Sequence, residues 1–138
     1  FGAVAGRYIT TGSNNSGFGH ETLRSLTTGS SNTALGKEAL RTVTTGGSNV
    51  AVGVEAGKSL TIGSNNIAIG YQSLYTATDG GENIAIGSNA LKLLPAGDEN
   101  DGIVAIGYEA LSSQATNDIR YFLIVLDMLL ESFVHPLL

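Results

Sequence analysis

Apolar and polar positions along this chain recur with a period of 17 residues, and the rhythm inside each period changes. With the unit numbered from the small residue of Gly17, Ala34, Ala51, Ala68, Ala85 and Ala105, position 2 is large and apolar: Phe18, Leu35, Val52, Ile69, Ile86, Ile106. Position 3 is Gly, and position 17 is mostly β-branched: Thr33, Val50, Ile67, Ile84, Val104. Alternation over positions 17 to 3 predicts a short strand, because successive side chains of a strand point to opposite faces. Positions 17 and 2 share one parity, 1 and 3 the other. The larger side chains are therefore expected to fill an interior together with positions 7 and 10. The Ala and Gly face is expected to admit the close approach of another coil or chain. Position 4 (His20, Lys37, Val54, Tyr71, Ser88, Tyr108) varies as an outward-facing site does.

The remaining positions read as turns and ladders. Position 5 is usually acidic (Glu21, Glu38, Glu55, Glu109) and position 8 usually basic (Arg24, Arg41, Lys58, Lys92), so ion pairs along and between coils are expected. Thr10, Thr27, Thr44, Thr61 and Thr78 recur at position 11, before a Gly at 13 and an Asn at 16. Thr-Thr-Gly and Ser-Asn-Asn are turn chemistry, with Gly free to take positive φ. Glu-Ala-Leu-Arg at positions 5 to 8 would suit a helical turn, but so short a helix nucleates poorly. A fixed short period means that each unit buries its apolar side by stacking on its neighbours. The expected fold is all-β: a parallel β-roll or β-solenoid of about seven 17-residue coils over residues 1–116. Its repeat positions are Gly19, Gly36, Gly53, Gly70, Gly87, Gly107, Asn32, Asn49, Asn66 and Asn83. A three-residue insertion near Asp101-Gly102-Ile103 delays the last unit, with Asn100 keeping the Asn spacing.

The rhythm stops after Thr116. Residues 117–138 are expected to form a second unit, an interaction segment or an apolar helix capping the last coil, since a solenoid end exposes apolar side chains and unpaired strand edges. Asp127, Glu131 and His135 would form one polar stripe on it, and Pro136 would end it. The apolar stretch is shorter than the ~20 residues of a membrane span and carries Asp127 near its middle, so membrane contact is not expected. Phe1 falls mid-repeat and is not a Met, which suggests a fragment or processed product.

Composition narrows the partners. A net charge of −5 with seven scattered Lys and Arg supplies no basic patch, so nucleic acid is excluded as a partner. With no cysteine, neither disulfides nor Cys-ligated metals enter. Nineteen glycines are many for this length, but their periodicity argues for repeated turns and against a flexible linker.

The segments Asn32-Thr33-Ala34-Leu35-Gly36, Asn49-Val50-Ala51-Val52-Gly53, Asn66-Ile67-Ala68-Ile69-Gly70 and Asn83-Ile84-Ala85-Ile86-Gly87 carry a resemblance. They resemble the Asn-x-Ala-Ile-Gly head repeats of trimeric autotransporter adhesins of the YadA type. With the Thr-Thr-Gly-Ser-Asn spacer, they are also similar to repeats of bacteriophage and virus tail fibres. The resemblance implies a left-handed parallel β-roll, three chains side by side, and an extracellular role in attachment.

Chemistry sought in the residues gives no catalytic constellation. Asp127, Glu131 and His135 read as a solvated stripe, since helical spacing alone implies no inner-shell metal geometry. Asp98-Glu99-Asn100-Asp101-Gly102 lacks the ligand set of a calcium loop and reads as a bulging acidic loop. No Ser lies in a nucleophile elbow. No cofactor and no enzymatic activity are expected. The reading is a homotrimeric structural or adhesive fibre segment, on a cell surface or a virion appendage, that attaches to a host-surface receptor or glycan. Recognition would use position 4, above all Tyr71 and Tyr108. The alternative is a single-chain solenoid that binds a periodic surface such as ice through the ladder of Thr27, Thr44 and Thr61.

Overall fold

The structure is a computed structural model that describes residues 3–95 and 101–113, together with the backbone of Phe122–Ile124. The chain winds as a parallel β-solenoid. Six three-residue strands mark successive coils: β1 (Ser16–Phe18), β2 (Thr33–Leu35), β3 (Val50–Val52), β4 (Ile67–Ile69), β5 (Ile84–Ile86) and β6 (Val104–Ile106). Each pairs in parallel with the next, and equivalent repeat positions stand level: Ala34 beside Ala51, Ala51 beside Ala68. From β1 to β6 the chain makes five complete turns, preceded by part of a coil that includes Ala3 to Asn15. Not all of the seven expected coils are among the described residues.

A further strand, β7 (Phe122–Ile124), adds to β6 in the same parallel sense. The predicted capping helix is thereby corrected at these three residues, which extend the sheet. Once the edge of β6 is available, backbone pairing there satisfies groups that a cap would leave open. Residues 117–121 and 125–138, with Asp127, Glu131 and His135, lie outside the described residues.

Strand parity corrects the expected interior. Ala34, Ala51, Ala68, Ala85 and Ala105 are buried in the core. The large residues at positions 17 and 2 point outward, with Phe18 56% and Ile69 37% exposed. A coil this narrow leaves little depth behind the strand, because the opposite wall already sends in Leu23, Leu40, Leu74 and Leu91 from position 7. Leu26, Val43, Leu60 and Leu94 enter from position 10. Only a methyl fits between them, and a close-packed interior tolerates little more.

The segment from position 4 to position 10 is a curl, with no helix among the described residues. Position 5 (Glu21, Glu38, Glu55, Gln72, Asn89, Glu109) and position 7 (Leu23, Leu40, Gly57, Leu74, Leu91, Leu111) both take φ between +48° and +60°. This alternation aims backbone donors in opposite directions. The Glu38 N–H donates to His20 O of the preceding coil (2.8 Å), while the Leu40 N–H donates to Ala56 O of the following one (3.0 Å). A left-handed conformation costs an ordinary residue ~1–2 kcal/mol, which the inter-coil bonds and the buried leucines offset.

The insertion also sits earlier than its spacing suggests. Val104 pairs with Ile84, so Ile103 occupies the Asn position and Gly102 (φ +72°) the positive-φ position held by Glu82 (φ +59°). The extra residues therefore fall between Pro95 and Asp101. Asp101 closes the loop by accepting the Gly81 N–H through Oδ1.

Candidate interaction surface

Four ladders run between coils of the solenoid, and their chemistry separates structural positions from available surface. The Asn ladder is internal. The Asn49 backbone N–H and Nδ2 both donate to Asn32 Oδ1 (3.0 Å each), and Nδ2 also donates to Gly63 O (2.9 Å). Asn66 repeats the arrangement on Asn49. Asn32, Asn49, Asn66 and Asn83 are all buried, so the predicted repeat asparagines are polar core. The ladder ends where Ile103 donates its backbone N–H to Asn83 Oδ1 (2.9 Å) and brings no side-chain acceptor of its own.

The Thr ladder is also internal in its bonding. Thr27 and Thr44 donate their hydroxyl protons to the carbonyls of Thr44 and Thr61 (3.1 Å each), and Thr61 donates to Thr78 O (2.7 Å). Thr27, Thr44 and Thr61 are half-buried. Their hydroxyl protons tie one coil to the next and are not displayed.

The charged ladder zigzags between coils. Arg41 Nε lies 2.8 Å from Glu21 of the preceding coil, and its guanidinium also reaches Glu38 of its own (3.9 Å). Lys58 contacts Glu38 below (2.8 Å) and Glu55 beside it (2.7 Å), and Gln72 Nε2 donates to Glu55 (2.7 Å). The hydrogen bond from Lys58, reinforced by the charges of Lys58, Arg41 and Lys37, holds Glu38 below the usual carboxylate range. Hydrogen bonds from Gln72 and Lys58 do the same for Glu55. Lys58, bonded to Glu38 and then Glu55, is pushed above the ordinary lysine range. This ribbon is self-neutralising and offers a partner little net charge.

The fourth ladder is the outer face of the sheet. Positions 17 and 2 set two columns side by side: Ser16 and Phe18, Thr33 and Leu35, Val50 and Val52, Ile67 and Ile69, Ile84 and Ile86, Val104 and Ile106. Neither column contains a charge. At about 4.8 Å per rung, six rungs make a stripe roughly 24 Å tall. Position 4 flanks it, with Tyr71 50% and Tyr108 67% exposed beside exposed His20, Lys37 and Val54. The Tyr108 phenol lies above its ordinary range because it hydrogen-bonds to the neighbouring Glu109 carboxylate.

The two predicted tyrosines thus stand on the surface in one column. The repeat glycines line the turn that follows each strand, and the asparagines line the core. The apolar face itself was missed by the sequence reading. A usable signal was present, because the Asn of position 16 shares its parity with the Ala of position 1. An amide side chain that can bond its own copy in the next coil suits a buried position. Among the described residues no group of three His, Asp or Glu could hold a metal ion, and no helix is long and apolar enough to cross a membrane. Comparison with family models, curated proteins and solved structures returns no match to this chain.

Proposed function

We propose that the chain is a segment of a homotrimeric, extracellular, non-enzymatic fibre or adhesin head that mediates attachment to a surface. One observation carries the reading: an uncharged, apolar, two-column stripe covers the outer face of an all-parallel sheet whose other face is already core. Contiguous apolar patches of this extent mark interaction sites in proteins that are otherwise soluble. The number three and a left-handed coil come from the resemblance of the Asn-x-Ala-Ile-Gly segments. Recognition of a receptor or glycan falls to the flanking position-4 column, where Tyr71 and Tyr108 offer amphipathic rings of the type enriched at binding surfaces.

The alternative, a single chain that binds ice through its threonines, has less support. The hydroxyl protons of Thr27, Thr44 and Thr61 are already donated within the solenoid. Light scattering on a size-exclusion column decides between the two. A mass of three chains is expected. A single-chain mass at every concentration, with thermal hysteresis, would overturn the fibre reading.

A further inference from the structure

The column at position 4 changes character partway up the solenoid, and the column at position 5 changes at the same coils. In the coils of β1 to β3, position 4 is His20, Lys37 and Val54, and position 5 is Glu21, Glu38 and Glu55. Each of those carboxylates is held by an Arg or Lys of position 8. From the coil of β4 upward, position 4 becomes Tyr71, Ser88 and Tyr108, and position 5 becomes Gln72, Asn89 and Glu109. Aromatic rings with amides beside them replace the charge pairs.

Hydrogen bonds set these three coils on adjacent rungs in spite of the insertion. The Asn89 N–H donates to Tyr71 O, and the Glu109 N–H donates to Ser88 O, both at 2.8 Å. Tyr71 and Tyr108 are therefore two rungs apart, about 9.6 Å, with the small Ser88 between them. Carbon atoms in contact lie about 3.5–4.0 Å apart, so a guest ring touched on both faces needs roughly 7–8 Å between the flanking planes. A modest tilt of two exposed side chains closes the gap onto one such ring. Among the described residues neither Tyr71 nor Tyr108 has a ring or cation contact, whereas Tyr75 already has Lys58 Nζ 5.5 Å from its centroid.

We infer that Tyr71, Ser88 and Tyr108 form a clamp for one β-linked pyranose ring of gluco configuration, a glucose or N-acetylglucosamine unit of a neutral surface glycan. The inference rests on the recognition role proposed for the position-4 column and names its ligand class. The face of an aromatic ring is negative and attracts the partly positive hydrogens of C–H groups. A sugar held between two such faces must offer axial C–H groups on both sides. A β-linked gluco ring does so, because its ring substituents are all equatorial. Galactose and mannose each direct one axial hydroxyl onto a ring face, where it would be desolvated without a partner. Equatorial hydroxyls instead leave through the edge of the clamp, toward groups that the same coils carry: the Ser88 hydroxyl, the Asn89 amide and the Glu109 carboxylate. Asn89 Oδ1 is buried and accepts no hydrogen bond, so this amide gains by turning toward a ligand hydroxyl. Glu109 repels acidic sugars.

Titration of the intact chain with cellotriose, chitotriose and a β-linked galactotriose tests the clamp, read by calorimetry and tyrosine fluorescence. Both gluco sugars should bind, and the galactotriose on the order of tenfold more weakly. Tyr71→Ala or Tyr108→Ala removes one ring face and should also cost on the order of tenfold. Ser88→Tyr fills the gap, and should abolish binding with an unchanged circular dichroism spectrum. Val54→Tyr adds the same ring on the outer side of Tyr71 and should leave binding in place.

No binding of either gluco sugar, equal binding of the galactotriose, or equal loss in Ser88→Tyr and Val54→Tyr overturns the inference. Adhesion of the chain to a panel of immobilised cells, with and without Tyr71→Ala/Tyr108→Ala, separates it from the wider reading. Adhesion that falls with the tyrosines while no gluco sugar binds sinks only the ligand class. Adhesion that is absent, or indifferent to the tyrosines, sinks the recognition role of the column as well.

Discussion

At the scale of single residues, the fold depends on positions that admit one side chain for a nameable reason. Gly53 takes φ +135°, and a Cβ there would lie 2.5 Å from Gly70 O of the next coil. Gly102 has positive φ as well (+72°), but a Cβ there meets nothing within 4 Å. Gly53→Ala should therefore prevent folding or destabilise far beyond the ~1–2 kcal/mol of a left-handed L-residue, while Gly102→Ala should cost about that amount. Thermal melts of the pair check this, and equal losses would show that stacking distance is not the constraint. The Asn ladder makes a graded prediction. Asn49→Ala strips Asn66 of its acceptor and Gly63 O of a donor, at about 1–3 kcal/mol for each buried group left unmatched. Asn15→Ala, at the half-buried start of the ladder, should cost less. Urea midpoints that fail to rank this way would argue against a cooperative ladder.

At the scale of elements, the period, the strand position and the turn glycines were legible in the sequence, and the direction of the strand was not. Alternation fixes that Val50 and Val52 share a face, but not which face is core. That choice depends on what the opposite wall contributes. Here Leu40 and Val43 of one coil, and their equivalents above, already fill the narrow interior. The spacing likewise misplaced the insertion, because Asn100 matches the period while the hydrogen bonds put Ile103 in that slot.

The charged ribbon was legible as pairing, and its geometry adds a pH dependence. Glu38 and Glu55 have pKa values below their ordinary 4.5. Their contribution is thus present above that value and lost as pH falls through the depressed folded-state value. Lys58, raised in the fold, contributes fully below its ordinary 10.5 and loses its contribution only as pH rises through the higher folded-state value. Stability should therefore be flat from pH 6 to 9 as far as this ribbon is concerned, and should decline below about pH 4.5. Glu38→Gln should shrink the acid-side decline and lower stability modestly at neutral pH, because the ribbon is partly solvated. An unchanged acid profile in Glu38→Gln would place the titration elsewhere.

At the scale of the whole molecule, the solenoid divides its apolar residues between two cores, one closed inside the coil and one open on the sheet. Adjacent residues of β4 separate them. Ala68 is buried inside, and Ile69 stands on the outer stripe. Ala68→Leu forces bulk into a filled interior, so it should lower the melting temperature by the equivalent of ~1–3 kcal/mol or prevent folding. Ile69→Lys leaves the coil untouched, and its circular dichroism should match that of the parent chain. In a trimer, however, the substitution brings three ammonium groups to one level of a desolvated axis. Buried like charges without partners are among the costliest contacts a protein can make. If the parent runs as three chains, as proposed, the expected result is a folded single chain at the same concentration. A charge at an exposed position outside the stripe, such as Thr45→Lys, should leave the mass unchanged. If Ile69→Lys also ran as three chains, the stripe would not be the interface. If it unfolded as Ala68→Leu does, the outer face would belong to the coil's own stability, and the division into two cores would fail.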